Sequence, residues 1–266
     1  MIEKYYNGVI EQVAGGIGNV EHNSILVRYS NDFSIWDLES VNHYKDQTDI
    51  FFTCHEFSYN KIAEAYEPYL GLIRQMFHKY CSGTLEEFME ECDVYKLQRP
   101  VFESYFEKGF CERTEQILID EVEYEQERMH SSIVTMLQKL SEICPIVIVL
   151  NRFQLASKST MQLTNRLLQT KNKNIGIVLG VNDVQSIPEF AHEEWDAICE
   201  SMDDRNMVYH IGNAGRNMEP DVMDYYSDYE SDDGYRKLNN LVYFLDFDHA
   251  NHHLSKIERR IKFDNF

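Results

Sequence analysis

The chain opens with apolar residues at three- and four-residue intervals, which is the spacing of one helix face. This stripe consists of Ile2, Tyr5, Tyr6, Val9, Ile10 and Val13. Gly15 and Gly16 follow it, and glycine commonly ends a helix because it adopts the left-handed backbone conformation at little cost. The pattern therefore predicts an N-terminal amphipathic helix.

Short apolar runs later in the chain predict β-strands. They span residues 24–29, 49–54, 146–150, 175–181 and 207–211. Helical patterns lie between many of these runs, over residues 33–45, 160–168 and 189–202. Such alternation is typical of a mainly parallel sheet covered by helices on both faces. We therefore predict an α/β fold.

Two further segments extend this α/β pattern. Residues 59–140, between the second and third predicted strands, show helical patterns and no strand pattern, so we predict a helical insertion. Residues 219–235 hold seven acids, four tyrosines and neither lysine nor arginine, which is typical of an exposed loop. A helical pattern follows over residues 235–263. We predict a main domain over residues 1–218 and an acidic loop with a helical extension over 219–266.

Composition narrows the classes of function. The 266 residues are 43% hydrophobic, enough for a sizeable core, and carry a formal net charge of −20. That charge disfavours nucleic acid and anionic membranes as partners and favours basic protein surfaces. The longest apolar run, residues 145–150, is too short for a membrane helix, and the N-terminus lacks the pattern of a secretory signal. We expect a cytoplasmic protein.

The segment after the third predicted strand carries a recognisable pattern. Asn151 and Arg152 come first, followed by Gln154, Ala156 and Ser159. This segment resembles the Walker B region of STAND-type, AAA-like P-loop ATPases. There the strand usually ends in two acids, followed by an apolar residue, Gln, Trp, Ala, Asp and then a Ser or Thr that opens a helix.

Other positions extend the resemblance over about residues 1–211. Pro68 and Tyr69 match a Pro-Tyr pair that begins a helix after the second strand in that family, and Asn182 stands where its fourth strand ends in a polar sensor residue. The resemblance implies a three-layer P-loop NTPase-like fold with a five-stranded sheet in the order 5-1-4-3-2.

The region after the first predicted strand departs from the family. A P-loop needs glycines that let backbone N–H groups approach the phosphates, a lysine for the β- and γ-phosphates, and a hydroxyl for magnesium. Here the corresponding residues contain no glycine and no lysine: Ser30, Asn31, Asp32, Phe33 and Ser34. Asp32 places a negative charge at the phosphate position, and Phe33 is bulky where the backbone must approach closely. We interpret this as a degenerate Walker A region.

The Walker B region is degenerate as well. Asn151 replaces the magnesium-binding acid, and Arg152 replaces the acid that activates water. Since both chemical loci are lost, we expect no catalytic residue and no cofactor. The sequence predicts a catalytically inactive ATPase-like module that acts in regulation, signalling or scaffolding through protein interaction. The alternative is a nucleotide-dependent switch of the same family that still binds ATP or GTP.

Two C-terminal features offer other functions. His249, His252 and His253, near Asp246 and Asp248, could offer ligands to zinc, but they do not form an H-E-x-x-H motif and we expect no metal site. An apolar helical stripe could be a docking surface for self-association or for a protein partner, or could simply close the domain. It comprises Leu238, Leu241, Val242, Leu245, Leu254, Ile257 and Ile261. In larger members of the family, such a helix often begins a helical-repeat or effector region.

Overall fold

The computed structural model describes residues 2–18, 23–30, 35–45, 47, 49–58, 61–109, 122–170, 172–182, 187–203, 208–211 and 232–264. The strands within these residues are β1 (Ser24–Tyr29), β2 (Phe51–Glu56), β3 (Ile146–Asn151), β4 (Ile175–Asn182) and β5 (Val208–Ile211). The helices are α1 (Ile2–Gly15), α2 (Glu39–Lys45), α3 (Tyr69–Tyr80), α4 (Leu85–Glu91), α5 (Arg99–Lys108), α6 (Val122–Ile143), α7 (Lys158–Gln169), α8 (His192–Asp203), α9 (Asp232–Tyr243) and α10 (Phe247–Asp264).

The described strands form one parallel sheet in the order β2-β3-β4-β1-β5. β1 pairs with β4 along its whole length, and the four-residue β5 pairs with β1 at the edge. The α/β class, the parallel sheet and the order of β1, β4, β3 and β2 confirm the sequence prediction. β3 and β4 are buried at every position because both faces are covered, whereas every residue of the edge strand β2 is partly exposed.

Two groups of helices flank this sheet, an arrangement compatible with a three-layer α/β fold. α1 contacts β1, β3 and β4 and also packs on α2, which contacts β2. α3 packs on α6, α6 on α7, and α7 on α8. The apolar stripe predicted for the first helix is buried at Tyr6, Val9, Ile10 and Val13, which explains its spacing.

α3, α4, α5 and α6 lie between β2 and β3 in the chain, where the sequence predicts a helical insertion. Pro68 is the N-cap of α3, so this proline begins the helix and does not kink it. This placement is favourable because the missing proline N–H would have no partner inside the helix at that point. α4 begins with a capping box, in which Thr84 and Glu87 satisfy each other's backbone N–H groups.

The C-terminal segment differs from its prediction. The single helical pattern over residues 235–263 is two helices, α9 and α10, separated where Leu245 adopts a left-handed φ of 67°. Asp246 then accepts a hydrogen bond from the backbone N–H of His249, which caps the first turn of α10. α9 also begins at Asp232, inside the predicted acidic loop; residues 219–231 of that loop lie outside the described residues.

Burial distinguishes the two interpretations of the C-terminal apolar stripe at three of its described members. Leu238, Leu241 and Leu245 are buried, and the neighbouring Phe244 packs edge-on against the ring of Tyr66. These side chains therefore close the domain core. Two members of the stripe, Val242 and Leu254, are exposed at 43% and 46%, and the side chains of Ile257 and Ile261 lie outside the described part of the chain.

Candidate functional site

Two of the predicted site residues, Asn151 and Asn182, lie at the carboxyl ends of neighbouring strands. Tyr29 ends β1, Glu56 ends β2, Asn151 ends β3 and Asn182 ends β4. In open α/β sheets, ligands bind in the crevice outside the carboxyl ends of the strands. This edge is therefore the place where the candidate chemistry of the chain must be judged.

Asn151 is fully buried and acts as a hydrogen-bonding centre. Its Oδ1 accepts a hydrogen bond of 2.7 Å from the hydroxyl of Tyr29, and its Nδ2 donates one of 3.4 Å to Oε1 of Glu56. The Asn151 carbonyl also accepts the backbone N–H of Phe57 at 3.0 Å. A neutral amide has no negatively charged oxygen to offer a metal ion. It also cannot accept a proton as a general base in hydrolysis.

Arg152 follows with a left-handed φ of 52°, at the start of a short 3-10 helix, Phe153–Leu155. Its Nη1 lies 3.3 Å from Oε1 of Glu56. A guanidinium stays protonated in proteins, so it cannot serve as a general base. The two positions that the family resemblance assigns to acids are therefore occupied by an amide and a cation, both directed at Glu56.

The other predicted site residues are less fully described. Ser30 is half-buried just after β1, whereas Asn31, Asp32, Phe33 and Ser34 lie outside the described residues. Asn182, the predicted sensor-like residue, is buried, and its backbone N–H donates to Oε1 of Gln154 at 3.4 Å. That contact joins the end of β4 to the 3-10 helix after β3.

Sequence reasoning missed a cavity of about 340 Å³ at the carboxyl ends of β2 and β3. Its walls come from the ends of these strands, from the loop before α3, from the 3-10 helix before α2 and from α9. We call it the basic cavity, and its lining residues are Trp36, His55, Glu56, Phe57, Ser58, Lys61, Ile62, Ala63, Glu67, Arg152 and Lys237. The lysines and the tryptophan come from separate parts of the chain, so no local motif reveals the cavity.

Burial shifts the pKa values of two groups in the basic cavity, His55 and Glu67. It lowers the pKa of His55 to about 4, which leaves the imidazole neutral at physiological pH. His55 Nε2 lies 3.5 Å from Oε1 of Glu67. Burial also raises the pKa of Glu67, while Lys237 and Lys61 act in the opposite direction on the same carboxyl. Both lysines therefore lie close enough to act electrostatically on Glu67.

The C-terminal histidines lie together but not around a metal-binding arrangement. The Nε2 atoms of His249 and His253 are 2.7 Å apart, and the ring of Phe190 stacks on His249. Asp246 is directed elsewhere, since it accepts the backbone N–H of Ser159 at 2.8 Å. In the part of the chain that the structure describes, no group of three or more His, Cys, Asp or Glu side chains could hold a metal ion.

Among the described helices, none combines the length and the apolar character needed to cross a membrane. Comparisons with protein-family models, with curated proteins and with solved structures find no match to this chain.

Proposed function

We propose that this chain is a catalytically inactive, P-loop ATPase-like module that acts in regulation or scaffolding through protein interaction. The observation that carries the proposal is the state of Asn151, which is buried at the end of β3 and hydrogen-bonded to Tyr29 and Glu56. In a P-loop NTPase this position needs a carboxylate that can hold magnesium. An amide committed to structural hydrogen bonds supports loss of that chemistry.

The neighbouring residues favour the same conclusion. The order of β1, β4, β3 and β2 is the order that the resemblance implies for a P-loop NTPase-like domain. In such a domain the residue after the β3 carboxylate activates water, and here it is Arg152, paired with Glu56. The region after β1 offers neither glycine nor lysine to phosphates. Both the phosphate-binding region after β1 and the acidic pair after β3 are lost. Loss of both supports an inactive ATPase-like domain better than an active one.

Charge and surface composition support the interaction role. At a net charge of −20, long-range steering favours basic protein surfaces over nucleic acid. The helical insertion exposes Tyr95 and Tyr124, and the guanidinium of Arg128 lies over the Tyr95 ring at 4.2 Å. Tyrosine and arginine are enriched at protein interfaces.

Sedimentation velocity over a concentration series tests for self-association, and a Tyr95→Ala/Tyr124→Ala variant tests whether this surface contributes.

Phosphate release with ATP or GTP and magnesium tests the proposed lack of catalysis. The expected rate equals that of a protein-free control. Asn151→Asp combined with Arg152→Glu restores the acids of one locus, yet we expect no turnover because the phosphate-binding loop is also absent. Circular dichroism of the double variant verifies that it is folded. Magnesium-dependent turnover by either protein would contradict the proposal.

A second candidate is a nucleotide-dependent switch that binds ATP or GTP without hydrolysing it. The observation that favours it is the basic cavity, where Arg152, Lys61 and Lys237 lie near the carboxyl edge of the sheet. Saturable binding of either nucleotide, measured by calorimetry at equal ionic strength, would support this switch over the scaffold.

A further inference from the structure

We propose that the basic cavity is a binding site for a small organic anion, one that carries a planar ring next to a phosphate or carboxylate group. The proposal goes beyond an inactive scaffold, since it gives the module a ligand. It also does not depend on the region after β1, where a P-loop would bind phosphates. Its support comes from the charges, the burial and the shape of the cavity.

The charge of the lining is opposite to that of the whole chain. The lining carries three basic side chains, Lys61, Lys237 and Arg152, and two acidic ones, Glu56 and Glu67, whereas the whole chain has a formal net charge of −20. An acidic protein that concentrates cations in one concave site creates a local attraction for anions. Ammonium and guanidinium groups are the usual partners of carboxylates and phosphates.

Lys237 is the most informative of these cations. It comes from α9, and its residue is only 8% exposed although it lines the cavity. Burying an ammonium group is costly unless opposite charge is close by, and here Lys237 acts on the carboxyls of Glu64 and Glu67. An anionic ligand in the cavity would add to the stabilisation of this buried cation.

Apolar and aromatic residues also line the cavity, beside its charged groups. Trp36 lines it with 49% of its surface exposed, and Phe57, Ile62 and Ala63 are further apolar residues of the lining. An exposed indole face gains from contact with a planar group, which covers it from water. A cavity lined both by an exposed tryptophan and by basic side chains favours a ligand that carries a ring and an anionic group.

The size of the cavity limits the ligand to a small molecule. At about 340 Å³ it lies at the lower end of the range of small-molecule pockets. A single ring with one anionic group fits this volume. Phenyl phosphate and benzoate are therefore suitable probes, since they share the ring and differ in the anion. The neutral phenyl glucoside is the matched control for the ring alone.

Tryptophan fluorescence offers a direct readout because the chain has two tryptophans in different environments. Trp195 is buried against Phe153, whereas Trp36 lines the cavity. We expect a saturable fluorescence change with phenyl phosphate or benzoate, with a Kd of about 1 mM because so small a probe makes few contacts. The phenyl glucoside should give no saturable change. Trp36→Phe should abolish the signal.

Charge-removing variants test the role of the lysines. Lys61→Met combined with Lys237→Met should weaken binding at least about tenfold, because both substitutions keep the length of the side chain and remove its charge. Lys96→Met, at an exposed position outside the cavity, should bind like the unmodified protein. Lys61→Met alone is the second variant, since Lys61 is exposed and its loss should not disturb the core.

The outcomes separate clearly. Phenyl phosphate binding tighter than benzoate assigns the site to phosphorylated ligands, and the reverse assigns it to carboxylates; either supports the proposal. No saturable change with either anion, an equal response to phenyl glucoside, or undiminished binding in both lysine variants would overturn it. None of these results depends on ATP turnover, so the failure of this proposal is distinguishable from failure of the proposed function.

Discussion

The hydroxyl of Tyr29 on β1 donates a hydrogen bond of 2.7 Å to Oδ1 of Asn151 on β3, although β4 lies between these strands. Gly180 of β4 makes this contact possible. A Cβ atom built on Gly180 would lie 2.6 Å from the same Asn151 oxygen and would also collide with the hydroxyl of Tyr6. The missing side chain at Gly180 therefore provides the space in which Tyr29 reaches Asn151.

Gly180→Ala is expected to destabilise the protein by about 1 to 3 kcal/mol, because overpacking forces buried groups to move. Urea denaturation followed by circular dichroism measures the free energy of unfolding. Gly8→Ala is the matched control, because nothing lies within 4 Å of a Cβ built at that position in α1. Alanine there should raise the free energy of unfolding by about 0.5 to 1 kcal/mol, since glycine inside a helix is unfavourable. Equal effects of the two substitutions would contradict the packing described around Asn151.

Much of the fold follows from periodicity in the sequence. The apolar runs that form β3 and β4 are buried at every position, and β1 is buried except at Arg28. A strand that is covered on both faces is apolar at consecutive positions. Pro68 likewise marked the start of α3. Local patterns of this kind are sufficient to place these strands and this helix start, because the residues that specify each element lie within it.

Features that depend on distant residues were not predictable in this way. The basic cavity combines Trp36, His55 and Lys237, which are far apart in the chain and meet only after folding. The apolar stripe near the C-terminus allows two interpretations from sequence, a docking surface or closure of the domain, because a helical pattern does not reveal what covers it. In the structure Leu241 is buried, and the left-handed Leu245 divides the predicted helix in two.

Leu241→Asp is expected to destabilise the fold by about 3 kcal/mol or more, because the substitution buries a carboxylate at a site with no exposed surface. Leu254→Asp, at a position 46% exposed on α10, should change the free energy of unfolding by about 0.5 kcal/mol or less. Thermal denaturation of the two variants distinguishes them. If Leu241→Asp were as stable as Leu254→Asp, α9 would not be part of the core.

Asp246 predicts a specific pH dependence of stability. Burial raises its pKa from 3.8 to about 6, although the backbone N–H of Ser159 and the nearby Lys158 favour the charged form. The folded state therefore binds this proton more tightly than the unfolded chain. Its contribution to stability is fully present below pH 3.8 and is lost as the pH rises through about 6.

Asp246→Asn removes this titration while its amide oxygen can still accept the N–H of Ser159. Between about pH 4 and 7, the stability of the variant relative to the unmodified protein should rise by about 2 kcal/mol. Urea denaturation at a series of pH values gives the free energy of unfolding of both proteins. The difference between them at each pH removes the contribution of all groups that titrate alike in both. Asp248→Asn, which removes an exposed carboxylate that contacts Lys158, is the control. An unchanged difference across the range would argue against the buried ionisation of Asp246.

A thermal-shift titration with ATP and magnesium tests the proposed loss of nucleotide chemistry most directly. A ligand that binds the native state must raise its melting temperature by mass action. The titration is run on the unmodified protein and on the Lys61→Met/Lys237→Met variant, so that a rise caused by the basic cavity is recognised by its loss in the variant. Because Asn151 and Arg152 replace both acids and no P-loop lysine follows β1, millimolar ATP should leave the melting temperature unchanged. A saturable, magnesium-dependent rise would contradict the inactive assignment.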